Sequence, residues 1–137
     1  MLARPTNPQD REALIDHFVS VVKVIGSPGF PTPEPALRKR IAVGVHRSVH
    51  PLGVARQMVA IVACGDRSAL LTRITAPTTI IHGRSDPLIP VAAAEDLGRK
   101  IPGSQVTIID GMGHDLPPAV IPALLDAMRD TFARGER

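Results

Sequence analysis

Tryptophan and tyrosine are absent from this 137-residue chain, phenylalanine occurs three times and cysteine once. A single thiol, Cys64, cannot form an internal disulfide, which excludes the disulfide-stapled secreted domains and suits a reducing cytoplasm. Lying in an apolar run, Cys64 is expected to be buried and inert. No apolar run approaches the ~18 residues of a membrane span, and the N-terminus carries no hydrophobic targeting segment, so a cytoplasmic location without a membrane partner is expected. With no aromatic residue among the basic ones, nothing is available to stack on bases. The basic excess is dispersed apart from Arg38, Lys39 and Arg40, and reads as a solvated helix face, so nucleic acid is not an expected partner. Internal repeats and low-complexity tracts are missing too.

What is present suits one globular domain: 44% hydrophobic and 21% charged residues can bury a core, and disorder is not the default. The 14 prolines are about double the usual ~5% share. The net charge of +3 is unevenly spread. Residues 1–73 hold ten basic and five acidic side chains, residues 74–137 six and eight.

The charge asymmetry coincides with a change of period. Leu14, Phe18, Val22 and Ile25 fall on one face of a first helix. Asn7, Pro8 and Asp10 predict its start, with Asn7 as N-cap and Pro8 in the first position, and Gly26 its end. A turn-rich stretch, Ser27 to Pro35, follows. A second helix is predicted over Pro35 to Ser48, a third from Pro51 to Gly65, and a short fourth through Leu70 and Leu71 with Asp66 as its cap. The apolar faces of the first three are expected to be mostly core, packed on each other or on a missing sheet.

After Pro77 the β-branched runs Thr78 to Ile81 and Gln105 to Ile109 read as buried strands. Between them Val91 to Ile101 is helical, and Pro118 to Phe132 makes a last helix with its prolines in the first turn. Strand, helix, strand, helix implies an α/β arrangement with parallel strands and a right-handed crossover. Two parallel strands are too few to stand alone, because such sheets are normally covered on both faces and have roughly four to six strands.

Ligands and catalytic groups gather beyond the carboxyl ends of parallel strands. The first loop of that kind is His82-Gly83-Arg84-Ser85-Asp86-Pro87-Leu88-Ile89-Pro90; the second is Asp110-Gly111-Met112-Gly113-His114-Asp115-Leu116-Pro117. Neighbouring strands bring Asp86 close to His114, where a carboxylate accepting the Nδ1 proton fixes the imidazole tautomer and leaves Nε2 as a base. Gly111 and Gly113 let the backbone turn sharply enough to aim the ring. The plainer reading of the same residues is an Asp accepting turn amides and a His capping a helix; loop position, strand order and spacing favour the pair. Asp115 reads as a solvated or capping neighbour of the last helix, and His82 as a packed histidine. His46 and His50 stand four apart, a spacing that can hold a metal. No third ligand is near them in sequence, and the helix dipole is reason enough for histidines there, so no metal is expected.

The segment from Ile74 to Phe132, with His82-Gly83-x-x-Asp86-Pro87-x-x-Pro90 after one strand and Gly111-Met112-Gly113-His114 after the next, resembles the C-terminal end of an α/β-hydrolase. Residues 1–73 resemble the helical cap of that fold, and residues 74–137 the C-terminal part of its core. The runs Gly29-Phe30-Pro31-Thr32-Pro33 and Ala55-Arg56-Gln57-Met58 look most like the aclacinomycin-methylesterase-like bacterial esterases. The resemblance implies a cofactor-free carboxylic-ester hydrolase in which Asp86 is the triad acid and His114 the triad base. It also suggests Phe30 and Met58 as walls for an apolar ester substrate. A metal held by His82, Asp86 and His114 is an alternative use of the same residues, less economical than the hydrolase one.

The nucleophile of that family is a Ser in a GxSxG elbow. The six serines here are Ser20, Ser27, Ser48, Ser68, Ser85 and Ser104, and none has Gly at both flanking positions. Ser85 comes nearest, in Gly83-Arg84-Ser85-Asp86-Pro87, and reads as a loop serine. The expectation is a truncated or split hydrolase, inactive alone and completed by an upstream segment or another chain. The rival expectation is a non-catalytic helical interaction module, associating with itself or another protein through an unpaired strand edge and an apolar face.

Overall fold

The computed structural model describes residue 7 and residues 9–136. They form two compact units: one runs to Val24 and resumes over Thr32–Gly65, the other comprises Ile25–Pro31 and the chain from Asp66 onward. Among the described residues no helix is long and apolar enough to cross a membrane.

The first unit is built on helices α1 (Arg11–Ile25), α2 (Glu34–Arg47) and α3 (Pro51–Cys64). Its core joins Leu14, Ile15 and Val19 of α1 to Leu37 and Val45 of α2, with Phe18, Val22, Ile41 and Ala42 packed around them. The start of α1 departs from expectation. Asp10 caps it, its carboxylate accepting from the Ala13 amide at 3.0 Å, whereas Asn7 closes a shorter turn on Gln9. Pro8 lies outside the described residues. Helix α3 has the predicted bounds, with Gly65 in the left-handed region (φ +59°) after its last turn. It is not core, however: none of its residues is buried, and Leu52, Val59 and Val62 are each at least 69% exposed. Cys64 shares that exposure, contrary to the buried thiol expected.

The second unit contains α4 (Ser68–Leu71), β1 (Thr79–Gly83), α5 (Val91–Lys100), β2 (Gln105–Ile109), a 3-10 turn (Pro118–Val120) and α6 (Ile121–Gly135). Asp66 closes a turn onto Ser68 just before α4. The strands pair in parallel, in register from Thr79 with Gln105 to Gly83 with Ile109. Helix α5 makes the crossover and packs on both strands, and α6 packs on β1. The strands are less buried than their composition predicts: Gln105, Val106 and Thr107 are exposed, since a two-stranded sheet has too few covering elements for both faces. Pro118 and Pro122 sit where the missing amide costs nothing, in the 3-10 turn and the first turn of α6.

Arg134, near the end of α6, ties this unit together. Its guanidinium donates to the Thr78 carbonyl (3.2 Å), the Thr79 hydroxyl (2.6 Å) and the Gly103 carbonyl (3.3 Å), fastening α6 to the starts of both strands. Arg134→Ala is expected to lower unfolding stability by about 2 kcal/mol, the scale of lost charged hydrogen bonds in a half-buried setting. A urea titration followed by circular dichroism reads this directly, and an unchanged midpoint would refute it.

Candidate active site

Two loops leave the carboxyl ends of β1 and β2, and the register that pairs Gly83 with Ile109 starts them side by side. Backbone bonds from Arg84 N to Ile109 O (3.0 Å) and Ser85 N to Met112 O (2.9 Å) keep them together. The result brings Asp86 to His114. One Asp86 oxygen accepts from the amides of Leu88 (2.8 Å) and Ile89 (3.0 Å), and the other lies 2.7 Å from Nδ1 of His114. An ionised carboxylate only accepts, so Nδ1–H donates and the Nε2 lone pair is left free. The Asp86 side chain is 6% exposed, that of His114 44%.

Burial pushes the Asp86 carboxyl up, but the Ile89 amide, the His114 ring and the Leu88 amide together outweigh it and hold the group below the ordinary carboxylate range. Asp86 is therefore charged at neutral pH, fixed at both oxygens, and aimed at one imidazole nitrogen. A cleft of about 340 Å³ opens here, lined by Ile81, His82, Gly83, Asp86, Ile89 and Met112–Leu116. His82 is largely buried; its Nδ1–H donates to the Gly83 carbonyl (2.9 Å), and its Nε2 stands 3.9 Å from Asp86, beyond hydrogen-bond reach. The amide of Ser85 supports the loop, and the residue is exposed.

The two glycines before His114 have different reasons to be there. Gly111 takes a positive φ of 74°, the turn that was expected. Gly113 has no such φ; a Cβ on it would stand 2.3 Å from the Gly26 carbonyl oxygen, so it is required by close approach. The segment approached, Ile25–Gly29, carries a residue that sequence reasoning did not single out. Ser27 is buried, accepts from the Gly113 amide at 2.9 Å and donates to the Asp115 carboxylate. Asp115 is thus held by Ser27 and does not cap the last helix. No local pattern marks Ser27, because its partners lie 86 and 88 positions away.

Phe30 follows on the same segment, its amide bonded to the Ser27 carbonyl (3.2 Å), and it is not among the cleft's lining residues. Met58 belongs to the helical unit, on α3, and is 57% exposed. His46 lies in the last turn of α2, and His50 caps α3, its Nδ1 accepting from the Gly53 amide at 3.1 Å. Among the described residues no group of three or more His, Cys, Asp or Glu is arranged to hold a metal ion.

No family profile matches the chain. It is 31% identical over 122 residues to rhodomycin D methylesterase DnrP of Streptomyces peucetius, a match covering 88% of this chain and 40% of that protein. It is 32% identical over 111 residues to rhodomycin D methylesterase DauP of Streptomyces sp. (strain C5), covering 80% and 37%. The chain thus spans about two fifths of the length of these relatives. In fold it resembles a serine hydrolase involved in carbazole degradation, the CarC enzyme, with a TM-score of 0.64 and 20% identity over 93% of this chain and 51% of that one. The chain is thus similar in sequence to these methylesterases, and its two parallel strands with their helices form part of an α/β-hydrolase fold.

Proposed function

We propose that the chain supplies the acid and base of a serine-type carboxylic-ester hydrolase, with the nucleophile and oxyanion hole contributed by a polypeptide segment outside these 137 residues. The observation that carries this reading is the 2.7 Å bond between His114 Nδ1 and Asp86, whose side chain is little exposed and doubly anchored. His114 Nε2 takes the proton of the serine hydroxyl as its oxygen adds to the ester carbonyl; the same proton then goes to the departing alcohol. Water repeats the sequence on the acyl-enzyme and releases the acid. Asp86 holds the ring and stabilises the imidazolium throughout. The methylesterase relatives point to a methyl ester, with methanol leaving. In this reading the acid is apolar, no cofactor takes part and the protein works in the cytoplasm.

Without the nucleophile the chain is inactive alone, since losing that group from a triad costs roughly 10⁶ in turnover. Treatment with a fluorophosphonate, read by intact mass, should give no adduct, and methyl-ester turnover should not exceed that of a His114→Ala control. Mixed with a separately expressed segment bearing a GxSxG elbow, the chain should give His114-dependent turnover. A stoichiometric adduct on any of its six serines would overturn the assignment. One observation favours a second reading, a non-catalytic interaction module: the exposed apolar residues of α3. That reading gains if the mixture stays inactive.

A further inference from the structure

His114 lies on a loop held from two sides. The loop after β1 holds it through Arg84, Ser85 and Asp86, as described. On the other side, Ile25–Gly29 runs against residues 111–115. Gly29 N donates to Gly111 O (2.9 Å), His114 N donates to Ile25 O (2.8 Å), and Gly113 N donates to Ser27 Oγ (2.9 Å). Ser27 Oγ in turn donates to the Asp115 carboxylate.

The Ser27 hydroxyl is therefore used twice, once on each side of His114. It accepts from the residue before and donates to the residue after, and at 5% exposure it has little water to exchange for either. Bonds to the amide at 113, the amide at 114 and the side chain at 115 restrain the direction in which the Cα–Cβ bond of His114 projects. The same hydroxyl engages one oxygen of Asp115, the carboxylate next to His114 in sequence, while Asp86 is the acid on Nδ1.

We propose that Ser27 is a positioning residue for His114: it sets the backbone that aims the ring at Asp86 and keeps the neighbouring carboxylate of Asp115 engaged elsewhere. This inference rests on the reading of Asp86 and His114 as an acid–base pair. It adds a residue from the turn after α1, far from both loops in sequence.

The test is nitrogen-15 and proton NMR of the imidazoles in the full chain, comparing the unaltered protein with Ser27→Ala, Asp115→Asn and Asp86→Asn. The unaltered chain should show His114 with its proton on Nδ1, resonating far downfield and exchanging slowly with water. Ser27→Ala should make that proton exchange about tenfold faster, the loosening expected of one lost buried hydrogen bond, and should mix the two tautomers. Asp115→Asn, which keeps the volume but weakens the Ser27 bond, should shift the same resonance in the same direction, and it decides the matter if Ser27→Ala does not fold. An unchanged His114 signal in the deciding variant, with the signal lost in Asp86→Asn, would overturn the role of Ser27 and leave the acid–base pair standing. A signal unaffected by Asp86→Asn would instead overturn the pair.

Discussion

Asp86→Asn is expected to lower ester turnover by the proposed two-part hydrolase about 10⁴-fold, the scale of loss when a triad acid is neutralised with its geometry intact. An asparagine amide can donate to Nδ1 where the carboxylate accepted from it, which moves the imidazole proton to Nε2 and leaves no base facing the serine. The fold survives, because the asparagine carbonyl still accepts from the Leu88 and Ile89 amides. The variant should therefore lose kcat while keeping its circular dichroism and its neutral-pH urea midpoint to within about 1 kcal/mol.

Its acid behaviour supplies an independent check. The Asp86 carboxyl is held below its unfolded value, so its contribution to stability is complete above the ordinary carboxylate range near pH ~4 and is lost as pH falls through the lowered folded value. The original chain should lose stability on that acid limb. Asp86→Asn, with no proton to gain, should lose less of it. Parallel acid limbs in the two proteins would sink the electrostatic account of the site.

The second large effect is expected of Gly113→Ala. The added Cβ would lie 2.3 Å from the Gly26 carbonyl oxygen and 2.7 Å from that of Ile25, both backbone atoms that no rotamer change can remove. Either the loop lifts from the turn after α1 or the turn gives way; overpacking of this kind costs about 3 kcal/mol. His114 N would lose its bond to Ile25 O, and the imidazole its alignment with Asp86. A urea midpoint falling by that amount, with loss of the downfield His114 proton, is the expected result. Stability within about 0.5 kcal/mol of the original chain would show that the close approach is relieved at little cost.

Comparison of particular residues shows what could be read locally. Gln105 to Ile109 is a strand with the predicted bounds, and α3 begins at Pro51 and stops before Gly65, because β-branched runs, an N-terminal proline and a left-handed glycine act over a few residues. The juxtaposition of Asp86 and His114 was legible through one further step, since two parallel strands joined by a crossover must present their following loops together. At the start of α1 two residues offer a cap, and Asp10 prevails over Asn7 because its carboxylate reaches the Ala13 amide. The apolar face of α3 is uncovered within this chain: an apolar stripe records a capacity for burial, and whether anything covers it is not a local property.

The amino-acid pattern by itself determined the order and kind of the elements, the parallel pairing and the two loops that carry Asp86 and His114, since each depends on periodicity, turn chemistry or chain handedness within about thirty residues. Only the tertiary structure decided how His114 is held. Ser27, Ile25 and Gly26 meet the 111–115 loop across more than eighty positions of sequence, through one hydroxyl, one carbonyl and a contact only glycine permits, and no local pattern encodes a meeting of that kind.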